Sequence, residues 1–208
     1  RLVRRLEEQI KQIYITEKQK KELEFQALNY QIRPHFLYNT LDTIKWKSQH
    51  GKSEDVGTMI ELLSSMLRNT LQGESFVKLE KEIELVKHYV ELERFRHAES
   101  FDVIYDIDPA ANEHQVPKFI VQPIVENAIR HGLLHMESRG ILLVQVWLSE
   151  RIMHIQVTDN GKGFTNLKSG IGLNNVRSRL ELLYGENGTI EFMRNNNETI
   201  VLMKLQVL

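Results

Sequence analysis

The sequence predicts an α+β protein in two parts: a helical hairpin, then a sandwich of helices on one face of a mixed sheet. Three observations carry this expectation. Residues 28–71 hold two amphipathic helical patterns joined by a short polar turn. After Gly73 the periodicity changes, and Phe101–Ile107, Ile141–Leu148 with Arg151–Val157, and Gly188–Met193 with Thr199–Gln206 read as strands. Helical segments at 80–97, 116–134 and 170–184 fall between those strands, which puts helices beside a sheet. The expected boundary separates 1–74, a coiled-coil lead-in and hairpin, from 75–208.

Residues 1–48 read as helix. Leu2, Leu6, Ile10 and Ile13 form a coiled-coil-like seam, which the polar run Thr16–Glu22 breaks as a solvated stretch. Apolar residues resume at Leu23, Phe25, Leu28 and Ile32 and then meet Pro34, which kinks or restarts the helix. At 100° per residue, His35, Asn39, Asp42 and Trp46 lie within roughly 60° of one another, while Leu37, Leu41 and Ile44 lie opposite. The histidine therefore stands outside the core stripe, beside an amide and a carboxylate. Imidazole titrates near neutral pH, so a histidine exposed at a kink is a candidate nucleophile or base.

Gln49–Asp55 is a polar turn. Its Gly51-Lys52-Ser53 is not a phosphate-binding P-loop, because that motif needs a glycine where Trp46 stands. Val56, Met59, Ile60, Leu63, Met66, Leu67 and Leu71 then form one face of a second helix. A lone hairpin buries little, so pairing with a second copy into a four-helix bundle, a homodimer, is predicted.

In the second part, Phe76–Leu79 is a short strand and Glu80–His97 a helix anchored by Ile83, Val86, Tyr89 and Val90. Phe101–Ile107 alternates until Pro109 stops it, and Val116–Leu134 is a helix. Ser149-Glu150 has the length of a tight hairpin turn. The helix of 170–184 follows a glycine-rich start, and Asn195-Asn196-Asn197 joins the last two strands.

Composition narrows the function. The 208 residues carry 27 basic and 28 acidic side chains and a net charge of −1, which does not indicate a nucleic-acid binder. The absence of cysteine removes disulfides and thiolate zinc sites and fits a reducing compartment. No apolar run approaches the roughly 20 residues of a membrane span. The chain opens on Arg1 rather than methionine, so a fragment is expected, with any membrane spans upstream.

Three features of the second part share one chemistry. Asn127, Arg130 and His131 fall on one helical face at i, i+3 and i+4. An amide oxygen suits Mg²⁺, which takes its remaining ligands from phosphates and water, and the two basic residues can meet those phosphates. Asp159-Asn160-Gly161-Lys162-Gly163 directly follows a strand. There a carboxylate can accept from an adenine amino group, and glycines let backbone approach a ligand. Gly170-Ile171-Gly172-Leu173 opens a helix and exposes N–H groups at its positive end, where phosphate binds. Each feature alone is weak, but the ordered set within the 46 residues from Asn127 to Gly172 is specific.

These residues carry a family resemblance. VQPIVENAIRHG (121–132) resembles the N box of the Bergerat-type (GHKL) ATP-binding fold. VTDNGKGF (157–164) and GIGLNNVRSRL (170–180) resemble its two glycine boxes. LNYQIRPHFLYNTLDTI (28–44) closely resembles the phosphoacceptor segment of LytS/YesM-type sensor histidine kinases. The match spans roughly 20–208. The resemblance implies that His35 is phosphorylated, that Asn127 binds Mg²⁺, and that Arg130 and His131 lie near the phosphates. It implies further that Asp159 reads adenine, that Gly161, Gly163, Gly170 and Gly172, with Leu173, form the nucleotide loops, and that Thr199 lies near the adenine. ATP and Mg²⁺ are the implied cofactors. A response-regulator aspartate is the implied acceptor from phosphohistidine.

The chain departs from the wider kinase pattern in places. Many histidine kinases carry an acidic residue directly after the phosphoacceptor, where this chain has Phe36. The general base stays open between Asp42, about 10 Å along the helix, and Glu126, whose other role would be to support the ion. Glu198 replaces the glycine expected before Thr199. Only six residues separate Gly163 from Gly170, so the lid over ATP is short. Asn39 is a candidate for positioning water during dephosphorylation of the partner. The resemblance implies a cytoplasmic fragment of a protein held in the bacterial cell membrane. Two alternatives are an ATPase or protein-serine kinase on the same nucleotide fold, and a non-catalytic nucleotide-sensing dimer.

Overall fold

The computed structural model describes residues 34–71, 74–97, 100–134, 136–161, 171–195 and 198–207. The predicted seam at Leu2–Ile13, the polar run, the apolar residues leading to Pro34, and Gly163 and Gly170 lie outside these residues. Ile32–Leu208 forms one compact unit.

Helix α1, Pro34–Gln49, packs against α2, Ser53–Leu71. His35, Asp42 and Trp46 are exposed, and Leu37 and Ile44 pack on the core, as the helical repeat predicts. Leu41 differs: it is 47% exposed. The inward arc of α1 is centred instead on Phe36, Thr40 and Lys47, because the helix also meets α3, Leu79–Arg96. Its two polar members are satisfied locally. The Thr40 hydroxyl donates to the Phe36 carbonyl at 2.8 Å, and Lys47 pairs with Asp55 at 2.7 Å. Helix α2 begins three residues before the predicted Val56, with Glu54 and Asp55 in its first turn, where the helix dipole favours acids. Met59, Leu63 and Met66 are buried, whereas Ile60 is exposed.

The predicted helix over 116–134 is corrected by the structure. Strand β1, Phe76–Lys78, is followed along the chain by β2, Phe101–Ile107, and pairs antiparallel with β3, Gln115–Pro117. Residues 118–121 then cross without helical bonding, and Phe119 takes φ 58°. Only Gln122–Asn127 is α-helix, α4, followed by a wide turn over Ala128–Leu133 in which the Leu134 N–H bonds the Ile129 carbonyl, five residues back, at 3.0 Å. The cause lies 39 residues earlier in the chain. The buried Glu82 carboxylate accepts from the N–H groups of Phe119 at 2.7 Å and Val121 at 2.9 Å, replacing the bonds a helix would supply.

With β2 as Phe101–Ile107, the main sheet adds β4 (Gly140–Ser149), β5 (Ile152–Asp159), β6 (Gly188–Asn195) and β7 (Glu198–Gln206), in the order β2-β4-β5-β7-β6. β2 and β4 run parallel and the other pairs antiparallel, so the sheet is mixed as expected. The β4–β5 turn is Glu150-Arg151, one residue later than predicted, with Glu150 at φ 58°. Alternate residues Leu142, Val144, Val146, Met153, Ile155, Val157, Val201 and Met203 face the core. They share it with Val86 and Tyr89 of α3, Ile124 of α4, and Val176 and Leu180 of α5, Ile171–Tyr184. The opposite face leaves Ile104, Ile141, Ile152 and Met193 exposed. The observed class is the predicted one, with helices on one face of the sheet.

Candidate nucleotide and phosphoacceptor site

Asp159 ends β5 directly opposite Thr199 of β7. Both are buried at the core-facing side of the sheet edge. The Asp159 Oδ1 accepts from the Gly161 N–H at 3.0 Å, and burial pushes its carboxyl up to about 6. The Thr199 Oγ1 is buried without a hydrogen-bond partner. Gly132 closes the group. A Cβ added there would stand 2.4 Å from Asp159 Oδ1, and one at Gly161 would stand 2.4 Å from the Gly132 carbonyl carbon. The two glycines are thus required by close approach, which holds the Asp159 carboxylate against the end of the wide turn. Gly132 was not singled out from the sequence, although a glycine directly after Arg130-His131 was the available signal.

The wide turn alters the face on which Asn127, Arg130 and His131 were expected together. Its larger circumference rotates the residues after Asn127 away from α-helical register. The Asn127 amide nitrogen is buried without a hydrogen-bond partner. Glu126 and Arg130 pair at 3.3 Å, and with the exposed His131 they line a cavity of about 290 Å³. His35 and Phe36 line the same cavity from α1. Thus residues 95 and 96 positions apart in one chain, Arg130 and His131 from His35, bring the predicted phosphoacceptor and the predicted phosphate-binding cations to one space.

Around His35, the Asn39 amide nitrogen lies 3.1 Å from Nε2 and 3.2 Å from Nδ1. Asp42 is exposed on α1 and is not among the residues lining the cavity. Helix α3 contributes residues that the sequence reading did not select. Glu93 is 1% exposed, and its Oε1 accepts from Arg96 Nη1 at 2.6 Å. The Arg96 guanidinium stands 5.9 Å from the Phe36 ring centroid, and that ring meets Tyr89 at 5.1 Å. The signal in the sequence was a stripe of apolar anchors, Ile83, Val86 and Val90, that runs on into a carboxylate.

Gly172 is the second residue of α5, whereas Leu173 turns its side chain into the core with Val176 and Leu180. Among the described residues no cluster of three or more His, Asp or Glu side chains is arranged to hold a metal. Mg²⁺ needs none where phosphates supply most of its ligands, so one asparagine oxygen fits this donor set. The unpartnered Thr199 hydroxyl and the glycine cradle around Asp159 fit an adenine nucleotide.

A family model described as Histidine kinase matches residues 23–101. The sensor histidine kinase YesM of Bacillus subtilis is 36% identical over 173 residues, covering 80% of this chain and 30% of that protein. The sensor protein LytS of Enterococcus faecalis is 30% identical over 195 residues, covering 86% of this chain and 33% of that one. The chain therefore spans about a third of the length of these relatives. Among solved structures, the histidine kinase domain of the Erythrobacter litoralis EL346 blue-light activated histidine kinase superposes with a TM-score of 0.51 at 16% identity. That match covers 92% of this chain and 93% of that one, and shows a shared fold.

Proposed function

The chain belongs to the LytS/YesM-type sensor histidine kinases of two-component systems, and from that premise we propose that it transfers the γ-phosphoryl group of ATP to His35 and then to a response-regulator aspartate. The observation that carries the reading is the cavity that His35 shares with Glu126, Arg130 and His131. Asp159 and Thr199 would hold the adenine, with Gly161 and Gly132 letting the base approach closely. Arg130 and His131 would take charge from the phosphates, and Asn127, supported by Glu126, would hold Mg²⁺. When bound, Mg²⁺ supplies charge neutralisation on the phosphates. The protein's own work is positioning, because phosphoryl transfer asks little covalent chemistry of it. Asn39, in contact with the His35 ring, would orient water during dephosphorylation of the regulator.

Tyr38, Leu41 and Ile60 leave exposed apolar surface on the hairpin, which supports assembly as a homodimer through a four-helix bundle. By the same family reading, the longer protein is a membrane-anchored sensor. The test is incubation with γ-labelled ATP and Mg²⁺, wild type beside His35→Gln, followed by acid and base treatment. Acid-labile, base-stable label in the wild type and none in the variant is expected. Label that persists in His35→Gln moves the acceptor elsewhere, and acid-stable label assigns the chain to a serine kinase.

A further inference from the structure

The residue after His35 is Phe36, so the carboxylate usual at that position in many histidine kinases must come from another element or be absent. The cavity beside His35 offers two carboxylates. Glu126 is already paired with Arg130 at 3.3 Å. Glu93 reaches the cavity from α3, and a short chain of contacts joins it to the phosphoacceptor's own neighbour. Its Oε1 is bonded to Arg96, and Arg96 covers the ring of Phe36. Its second oxygen, Oε2, forms an ion pair with His97 Nε2 at 3.2 Å when that ring is protonated, but accepts no well-aligned hydrogen bond. A carboxylate this deeply buried, with one oxygen that accepts no hydrogen bond, keeps acceptor capacity for a further donor in the cavity.

The ring of His35 needs such a group. The Asn39 amide stands almost equally near both ring nitrogens, at 3.1 and 3.2 Å, so it does not by itself select a tautomer. Attack through Nε2 requires the proton to be on Nδ1 beforehand and to leave it afterwards.

Building on the kinase reading, we propose that Glu93 accepts the Nδ1 proton of His35, supplying from α3 the carboxylate that position 36 lacks, with Arg96 as the positioning residue that docks it on Phe36. The Nε2 lone pair forms the bond to the γ-phosphorus. The bond from that phosphorus to its bridging oxygen breaks, and the electron pair leaves with ADP. The Nδ1 proton passes to the Glu93 carboxylate, so phosphohistidine forms with a neutral ring. The other ionisable groups facing this space are Tyr89, Arg96 and His97 from α3 and Glu126, Arg130 and His131 beyond α4. None combines a carboxylate with a link to Phe36.

The experiment compares wild type, Glu93→Gln and Glu93→Ala by His35 labelling rate, binding of a non-hydrolysable ATP analogue and ring ¹⁵N spectra of His35. The wild-type ring should carry its proton mainly on Nδ1. Glu93→Gln should label about 10²-fold more slowly, the scale of a lost general base, with analogue affinity within about twofold of wild type and a mixture of tautomers. Formate should restore part of the rate in Glu93→Ala. Labelling of Glu93→Gln at the wild-type rate overturns the proposal. So does a wild-type ring protonated mainly on Nε2, a result that does not depend on any variant folding. A wild type that binds the analogue and never labels refutes the kinase reading itself, with the tautomer still reporting on Glu93 separately.

Discussion

Burial raises the Asp159 carboxyl to about 6, well above the ordinary carboxylate range. Its proton is held more tightly in the folded state than in the unfolded one. The charged carboxylate therefore costs stability above pH 6, and that cost fades as the pH falls toward the unfolded value near 4. Accepting a bond from an adenine amino group needs the ionised form. ADP affinity is thus expected to fall as pH drops through 6, while the ligand-free protein loses no stability from this group over the same range. Asp159→Asn should flatten the pH dependence and weaken binding at least about tenfold, the factor that one lost charged hydrogen bond supplies. Titration with a fluorescent nucleotide at pH 7.5 and 5.5 checks this, and equal affinities at both would contradict it. The carboxylate itself was legible from its place after an alternating strand. Its raised proton affinity was not, because that depends on Gly132 and Thr199, which the fold brings beside it.

At the scale of elements, the segment leading into α4 is held from two sides. Glu82 accepts its N–H groups, and Arg179 of α5 donates to the Phe119 carbonyl at 3.0 Å. This pair sustains a left-handed phenylalanine that would otherwise relax. Burial raises the Glu82 carboxyl, and the N–H donors and Arg179 oppose that shift. Glu82→Ala should cost about 3 kcal/mol, since it leaves several buried donors unpaired, and Glu82→Gln less, since one acceptor oxygen remains. Urea unfolding measures both, and unchanged stability in Glu82→Ala would rule out the clamp. The misreading of 116–134 has the same origin. Val116, Ile120, Ile124 and Ala128 recur at a helical spacing, and a local pattern carries no trace of a carboxylate arriving from another helix.

At the scale of the molecule, the hairpin serves two surfaces. One arc of α1 packs inward through Phe36 and Thr40, and another exposes Tyr38 and Leu41. If the hairpin assembles as the proposed four-helix homodimer, Leu41→Glu should shift it toward monomer in sedimentation velocity without unfolding it, because the side chain is half exposed in the single chain; an unchanged sedimentation profile would contradict an interface through this arc. The sequence alone determined the class of fold, its strands and helices outside 116–134 and the exposed position of His35, and it singled out the residues proposed to hold the nucleotide. These rest on local periodicity, on turn chemistry and on motifs whose spacing is short. Only the tertiary structure decided which arc of α1 is buried, where the 116–134 segment bends, and that Glu93 and Arg96 line one cavity with His35. The reason is physical. A periodic pattern records that a side chain is buried, but its partner is chosen by packing between elements far apart in the chain, and charged groups inside a helix stripe take their meaning from that partner alone.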